Sequence, residues 1–292
     1  MPSAEERRPA PLGLLALAFA AYSLAHLGNN TVLSRGTPGR VLFELQSASG
    51  GWIEPVLLRS QVVLGAFLLV IVALGRRSLS ELGWRARDLV PGLKLYVGAW
   101  CALQLGLAAA AWRASGALAW HPMWSRFGAG AVLSGVLAQA FGHALVEDTA
   151  FRGFFLPQLR AHLARFGALR VTLLGTFVAL VGSALLFGAA HLPTRLLVKS
   201  TGGMALVSEQ WGFLSAGLAL GLAYLVTRNL FSVIGLHVLL NDPAPLVDVP
   251  GTLLNRATLV VFAGTLAIAW LRRRRRERAA PEAAGADVRR AA

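Results

Sequence analysis

Charge is scarce in this chain: Asp, Glu, Lys and Arg make up 14% of its 292 residues, against 55% hydrophobic residues and a mean hydropathy of +0.59. So little polar surface cannot cover a soluble domain of this length, so lipid is the expected solvent for most of it. Cysteine is nearly missing. The single Cys101 lies in an apolar run, which excludes a disulfide framework and a thiolate metal cluster and leaves it a packing role. Acidic residues number 14 against 28 basic ones, a formal charge of +14. In a soluble protein that excess would suggest nucleic acid. Here the basic residues stand at the ends of hydrophobic segments and in one terminal tail, the pattern of topology signals and anionic-lipid contact. The run Arg272 to Arg276, with Arg278 close behind, directly follows Trp270 and Leu271. It reads as a juxtamembrane anchor on anionic lipid, and no nucleic-acid partner is expected.

Apolar segments able to cross a hydrocarbon core of ~30 Å fall at about 11–28, 56–75, 90–112, 129–151, 169–191, 209–227, 229–242 and 254–271. Each must be helical, because an open strand in lipid leaves its backbone groups unpaired. The fold class is therefore all-α, a polytopic transmembrane bundle of about eight spans. The seventh is short and follows the sixth through a tight Thr227, Arg228, Asn229 turn, so it is expected to reach only part way, shielded by neighbours. The first follows Arg7 and Arg8 and carries an Ala18, Phe19, Ala20 cue for signal cleavage, but Glu5 and Glu6 precede it and it reads as an uncleaved helix. The chain divides into an N-terminal segment (1–10), N-terminal helices and loops (11–128), a core of spans (129–242), a last loop and span (243–271) and a basic tail (272–292) that reads as disordered. Lys and Arg weigh on the side that holds both termini, which places both in the cytoplasm, with a bacterial plasma membrane as the expected location. Loops 29–55 and 113–128 then face outward, with Trp52, Trp120 and Trp124 at the interface.

Ionisable residues inside spans are costly and therefore informative. The fourth span carries His143, Glu147, Asp148 and Arg152; the fifth ends at His191; the seventh carries His237, Asn241 and Asp242. Asp148 and Arg152 are four apart with the acid first, the favourable order for an intrahelical ion pair. Glu147 lies ~100° around the helix from Asp148, free to face the interior. His143, one turn before Glu147, could tune it or simply pack as a neutral ring. His237 and Asn241 share one helical face, two donors that could oppose a carboxylate as an oxyanion site opposes a base. Taken singly, each of these residues reads equally as an interhelical hydrogen bond or a step in a proton pathway.

Taken together, Glu147-Asp148-x-x-x-Arg152, Phe187-x-x-x-His191 and His237-x-x-x-Asn241 resemble the three signature motifs of the CPBP intramembrane protease family, also called the CAAX protease and bacteriocin-processing, or Abi, family. The resemblance covers about residues 129–242, with Phe151-Arg152-Gly153 and the Thr227, Arg228 turn as further likenesses. It departs at Asp148, where the family usually has a second glutamate. The resemblance implies Glu147 as the general base on water, His191 helping to bind that water, and His237 and Asn241 stabilising the oxyanion. Asp148 and Arg152 would support the site. It implies an endopeptidase acting near the C-terminus or membrane anchor of a lipidated or membrane-anchored substrate. No cofactor is expected. A zinc variant would use Glu147, His191 and His237, but the sequence has no H-E-x-x-H and the ligands would come from three helices. The rival reading is a non-enzymatic membrane protein, such as a transporter-like channel, an immunity factor or a scaffold. The spacing of His191 and Asn241 along their helices places the cavity nearer the outer face, which favours an exported or anchored substrate.

Overall fold

The structure is a computed structural model that describes residues 9–166 and 173–291, with side chains to Arg278. Arg7 and Arg8, which precede the first span, lie outside the described residues. Among the described residues the chain forms nine helices and no strand. They are α1 (Leu12–Thr31), α2 (Gly36–Ala48), α3 (Pro55–Leu74), α4 (Ala86–Ser115), α5 (Pro122–Leu163), α6 (Leu173–Leu197), α7 (Gly203–Thr227), α8 (Leu230–Asn241) and α9 (Gly251–Ala291). Seven are long and apolar enough to cross a membrane, and α8 is the short apolar one. The polytopic bundle expected from hydropathy is therefore present. Three expectations change. The loop 29–55 contains a helix, α2, with no buried residue. The fourth span is longer than 129–151 and runs on to Leu163. Where composition reads as a disordered tail, α9 continues to Ala291, since Arg, Ala and Glu are good helix formers.

The outer wall is apolar and open: Leu105, Leu173 and Val260 are exposed along the long helices, as lipid-facing residues must be. Inside, two clusters form the core. One surrounds α8, with Leu103 and Leu107 of α4, Leu220 of α7 and Val233, Leu236 and Leu239 of α8 itself. The other is aromatic: Tyr22, Phe67, Phe151, Phe154, Phe155 and Phe187 meet largely edge to face, the arrangement that ring quadrupoles favour.

Helix α8 explains how a twelve-residue helix can lie in a membrane protein. Residues Ser232 to Leu239 are all buried, so neighbouring helices shield it where it cannot span. Its start is fixed by Asn229, whose Oδ1 accepts from the Ser232 N–H at 3.1 Å while its amide donates to the Asp88 carbonyl at 2.7 Å. Arg228 precedes it with φ 52°, a left-handed residue that ends α7. Past its other end, the Trp100 and Trp124 indoles donate to Pro243 and Pro245 carbonyls at 3.0 and 2.8 Å, and Gln104 accepts from the Leu246 N–H at 2.9 Å. Trp124 and Trp120, expected at the lipid interface, thus also clamp loop 242–250; Trp120 forms an isolated antiparallel bridge with Val247.

Two close approaches bring the site helices together. A Cβ on Gly217 of α7 would lie 2.9 Å from the Ala184 Cα of α6, and one on Gly235 of α8 would lie 2.6 Å from the Tyr96 Cβ of α4. Small residues at such points let backbones approach where lipid gives no hydrophobic drive to associate.

Candidate active site

Helix α5 is not a uniform α-helix where the acidic pair sits. Gly128, with φ 77°, kinks its first turns. Further on, π-helical segments at Ala138–Ala144 and Thr149–Phe155 flank a single α turn, Leu145–Asp148. Widened turns of this kind occur often at functional sites. They also free carbonyls that need outside donors. The Phe141 carbonyl accepts from the Gln61 amide at 2.8 Å, and the Phe151 carbonyl from the Ser183 hydroxyl at 3.0 Å. Thr149 accepts from the Trp84 indole at 2.9 Å. The distortion is therefore supported from α3, α6 and the 75–85 connection.

On that turn, Glu147 and Asp148 are both buried. Asp148 pairs with Arg152 at 3.0 Å, as their spacing predicts. The contact is an ion pair rather than a well-aligned hydrogen bond, because Asp148 Oδ1 and Arg152 Nη1 find no bond of good geometry. The guanidinium is held further by the Phe187 ring, 4.7 Å below it, and by the Gly217 carbonyl at 3.5 Å. A second role for Asp148 is absent from the sequence reading: its Oδ2 lies 3.1 Å from Nδ1 of His237. A carboxylate only accepts, so Nδ1 carries the proton and Nε2 is turned toward Glu147, 3.7 Å from its Oε2.

His191 is arranged in the same way from the other side. Its Nδ1 lies 2.8 Å from the Phe187 carbonyl four residues earlier and must donate to it. Its Nε2 is 3.5 Å from Glu147 Oε1. Phe213 of α7 stacks on the His191 ring at 4.3 Å, and Arg195, paired with Glu209 at 3.3 Å, lies over the Phe213 ring at 4.9 Å. The Glu147 carboxylate thus lies between two imidazole nitrogens that both face it. Each gap is longer than a direct hydrogen bond, as for groups that share a water or a proton with their partner.

Asn241, one turn after His237, is exposed at the end of α8. Asp242 caps that helix, and its carboxylate would lie 3.6 Å from a Cβ on Gly135. His143 lines a small polar cavity with Glu147. Sequence reasoning overlooked α1. Tyr22 and His26 stack there, and the His26 ring meets His191 edge-on at 5.1 Å. The overlooked signal was His26 itself, an ionisable residue inside the first apolar span. Phe213 carries no such mark, because an aromatic residue in an apolar helix looks like any other lipid-facing or core ring.

All seven residues picked out by the three motifs, Glu147, Asp148, Arg152, Phe187, His191, His237 and Asn241, fall within one matched segment. No curated protein and no solved structure matches the chain. Residues 129–241 of this integral membrane protein match the family model described as type II CAAX prenyl endopeptidase Rce1-like, a match that agrees with the resemblance to the CPBP intramembrane proteases drawn from the three motifs.

Proposed function

We propose that the protein hydrolyses a peptide bond near the C-terminus or membrane anchor of a lipidated or membrane-anchored substrate, with Glu147 as the general base. The observation that carries this is the buried Glu147 carboxylate set between Nε2 of His191 and Nε2 of His237, at 3.5 and 3.7 Å, with both rings tied down through Nδ1. Glu147 takes a proton from water, and the oxygen attacks the scissile carbonyl. The electron pair of that carbonyl moves onto its oxygen. The C–N bond then breaks and Glu147 returns the proton to the leaving nitrogen, so no acyl-enzyme forms. His191 holds the water. His237 and Asn241 face the developing oxyanion, and the exposure of Asn241 marks the side from which substrate enters. For His237 to donate there its ring must carry protons on both nitrogens, and Asp148 holds the one on Nδ1.

The reaction is read as metal-free. Zinc held by Glu147, His191 and His237 is the competing chemistry, since both Nε2 atoms face that carboxylate. The test uses purified full-length protein and a panel of membrane-anchored peptides that includes a farnesylated CAAX-type peptide. Cleavage is expected to drop at least ~10²-fold in Glu147→Gln, the usual contribution of a general base, and to persist in a strong zinc chelator. Parental cleavage by Glu147→Gln sinks the assignment, and loss of activity to the chelator with recovery on zinc moves it to the metal reading.

We further propose that both termini are cytoplasmic in a bacterial plasma membrane and that the site opens toward the outer face. The reading is supported by the ends of the helices: His26, Ser60 and His191 lie toward the C-terminus of α1, the N-terminus of α3 and the C-terminus of α6, all at the end of the bundle away from the chain's start. Anionic lipid is the proposed partner of the basic tail. Arg272, Arg274, Arg275, Arg276 and Arg278 are exposed there, whereas Arg273 donates to the Leu225 carbonyl near the end of α7 at 2.8 Å. In a Cys101→Ser background, Lys199→Cys is expected to label from outside the cell and Ser80→Cys only after permeabilisation; the reverse pattern inverts the topology.

A further inference from the structure

The family match begins at residue 129, yet Glu147 is walled in part by helices that precede it. Tyr22, His26 and Asn29 of α1, Ser60 of α3, and His143 and Glu147 of α5 line one small polar cavity. Its volume open to the centre of a water molecule is about 10 Å³, room for roughly one water. Two of its walls end in unanswered polar atoms. Tyr22 is fully buried and its hydroxyl has no hydrogen-bond partner; Asn29 is 4% exposed and its Oδ1 likewise has none. A buried hydroxyl and a buried amide oxygen left dry are costly and rare. His26 Nε2 lies 3.4 Å from the Asn30 amide, which can only donate, so the neutral ring carries its own proton on Nδ1. Beside a carboxylate, this set offers one water both donors and acceptors.

We propose that this cavity holds the hydrolytic water against Glu147, and that Tyr22 and Asn29 are positioning residues for it. The inference rests on the reading of Glu147 as general base. The Tyr22 hydroxyl donates to the water oxygen; the water donates one O–H to Asn29 Oδ1 and the other to Glu147, where His191 Nε2, 3.5 Å from Oε1, shares it. One lone pair stays free for attack. As the new O–C bond forms, the second O–H pair stays on the water oxygen while its proton passes to Glu147, which later yields that proton to the leaving nitrogen. Helix α1 is thereby part of the catalytic unit, although its residues lie outside the matched segment.

The test uses the full-length protein in lipid nanodiscs, with Tyr22→Phe, Asn29→Leu and Glu147→Gln compared with the parent. The infrared carboxylate band that Glu147→Gln removes is expected to shift on exchange into heavy water in the parent and to lose that shift in Asn29→Leu, whose side chain fills the cavity. On the farnesylated CAAX-type peptide, or whichever panel peptide the parent cleaves, kcat is expected to fall roughly tenfold in Tyr22→Phe, as for one lost hydrogen bond in the transition state. KM and the thermal midpoint should stay parental. A carboxylate band insensitive to heavy water in the parent, parental kcat in both α1 variants, or activity lost only in step with thermal stability overturns the inference. If Glu147→Gln is itself active, the general-base reading fails. If it is inactive while Tyr22→Phe and Asn29→Leu match the parent, only the water cavity fails.

Discussion

Asp148→Asn separates the two duties of that carboxylate. Asp148 is fully buried, with Arg152 at 3.0 Å on one oxygen and His237 Nδ1 at 3.1 Å on the other. An asparagine of the same shape has one acceptor and one donor end. Arg152 can only donate, so the amide oxygen must turn toward it, and the NH2 group then faces His237. The ring must accept at Nδ1 and carry its proton on Nε2, the opposite tautomer from the one Asp148 enforces. Two costs follow. Removing the anion from a buried pair costs about 3–5 kcal/mol when nothing replaces it, and about 2–3 kcal/mol is expected here because the isostere keeps a hydrogen bond to Arg152. The Nε2–H that this tautomer keeps can still donate to the oxyanion, but without the Asp148 anion the ring donates uncharged, and turnover is expected to fall on the order of 10²–10³-fold, as for a weakened oxyanion-site donor. The double variant Asp148→Asn, Arg152→Met removes the stranded guanidinium from beneath Phe187 and should regain much of the lost stability. It should regain no activity. The assay pairs the thermal midpoint in nanodiscs with single-turnover cleavage of a panel peptide. If stability and activity return together, the loss in Asp148→Asn was a folding effect and His237 is not set by Asp148.

Other perturbations address how the site is held. Gly217→Val places a side chain against the Ala184 backbone, where even a Cβ would sit 2.9 Å away; a loss of about 1–3 kcal/mol is expected, and equal stability for variant and parent would mean that α6 and α7 do not meet there. Asn229→Ala removes the Ser232 cap and the Asp88 contact, with an expected cost of about 1 kcal/mol or somewhat more in the thermal midpoint and an unchanged cleavage site. Phe213→Leu unstacks His191 and should lower kcat more than it raises KM; an effect on KM alone would place Phe213 in substrate binding instead.

Legibility followed the period of the helix. Hydropathy located the long helices because lipid requires apolar runs, and the i, i+4 rule paired Asp148 with Arg152 because the pair still closes, at 3.0 Å, across the start of the second π segment. The same rule could not see those segments. A π turn leaves no mark in composition; it is stabilised by Gln61 and Ser183 from distant helices, and neither residue is unusual where it stands. The contact between Asp148 and His237 was hidden for a related reason. Pairing Asp148 with Arg152 accounts for its charge, but a carboxylate has two oxygens, and only the placement of α8 shows what the second one holds. Helix α8 in turn is placed by Trp100, Gln104 and Trp124 gripping the loop beyond it, contacts spanning more than a hundred residues of chain. The general rule for such a bundle is that an ion pair within one helix is an incomplete account of a fully buried acid. The remaining oxygen needs a donor, and in this protein the donor it finds is the ring that faces Glu147.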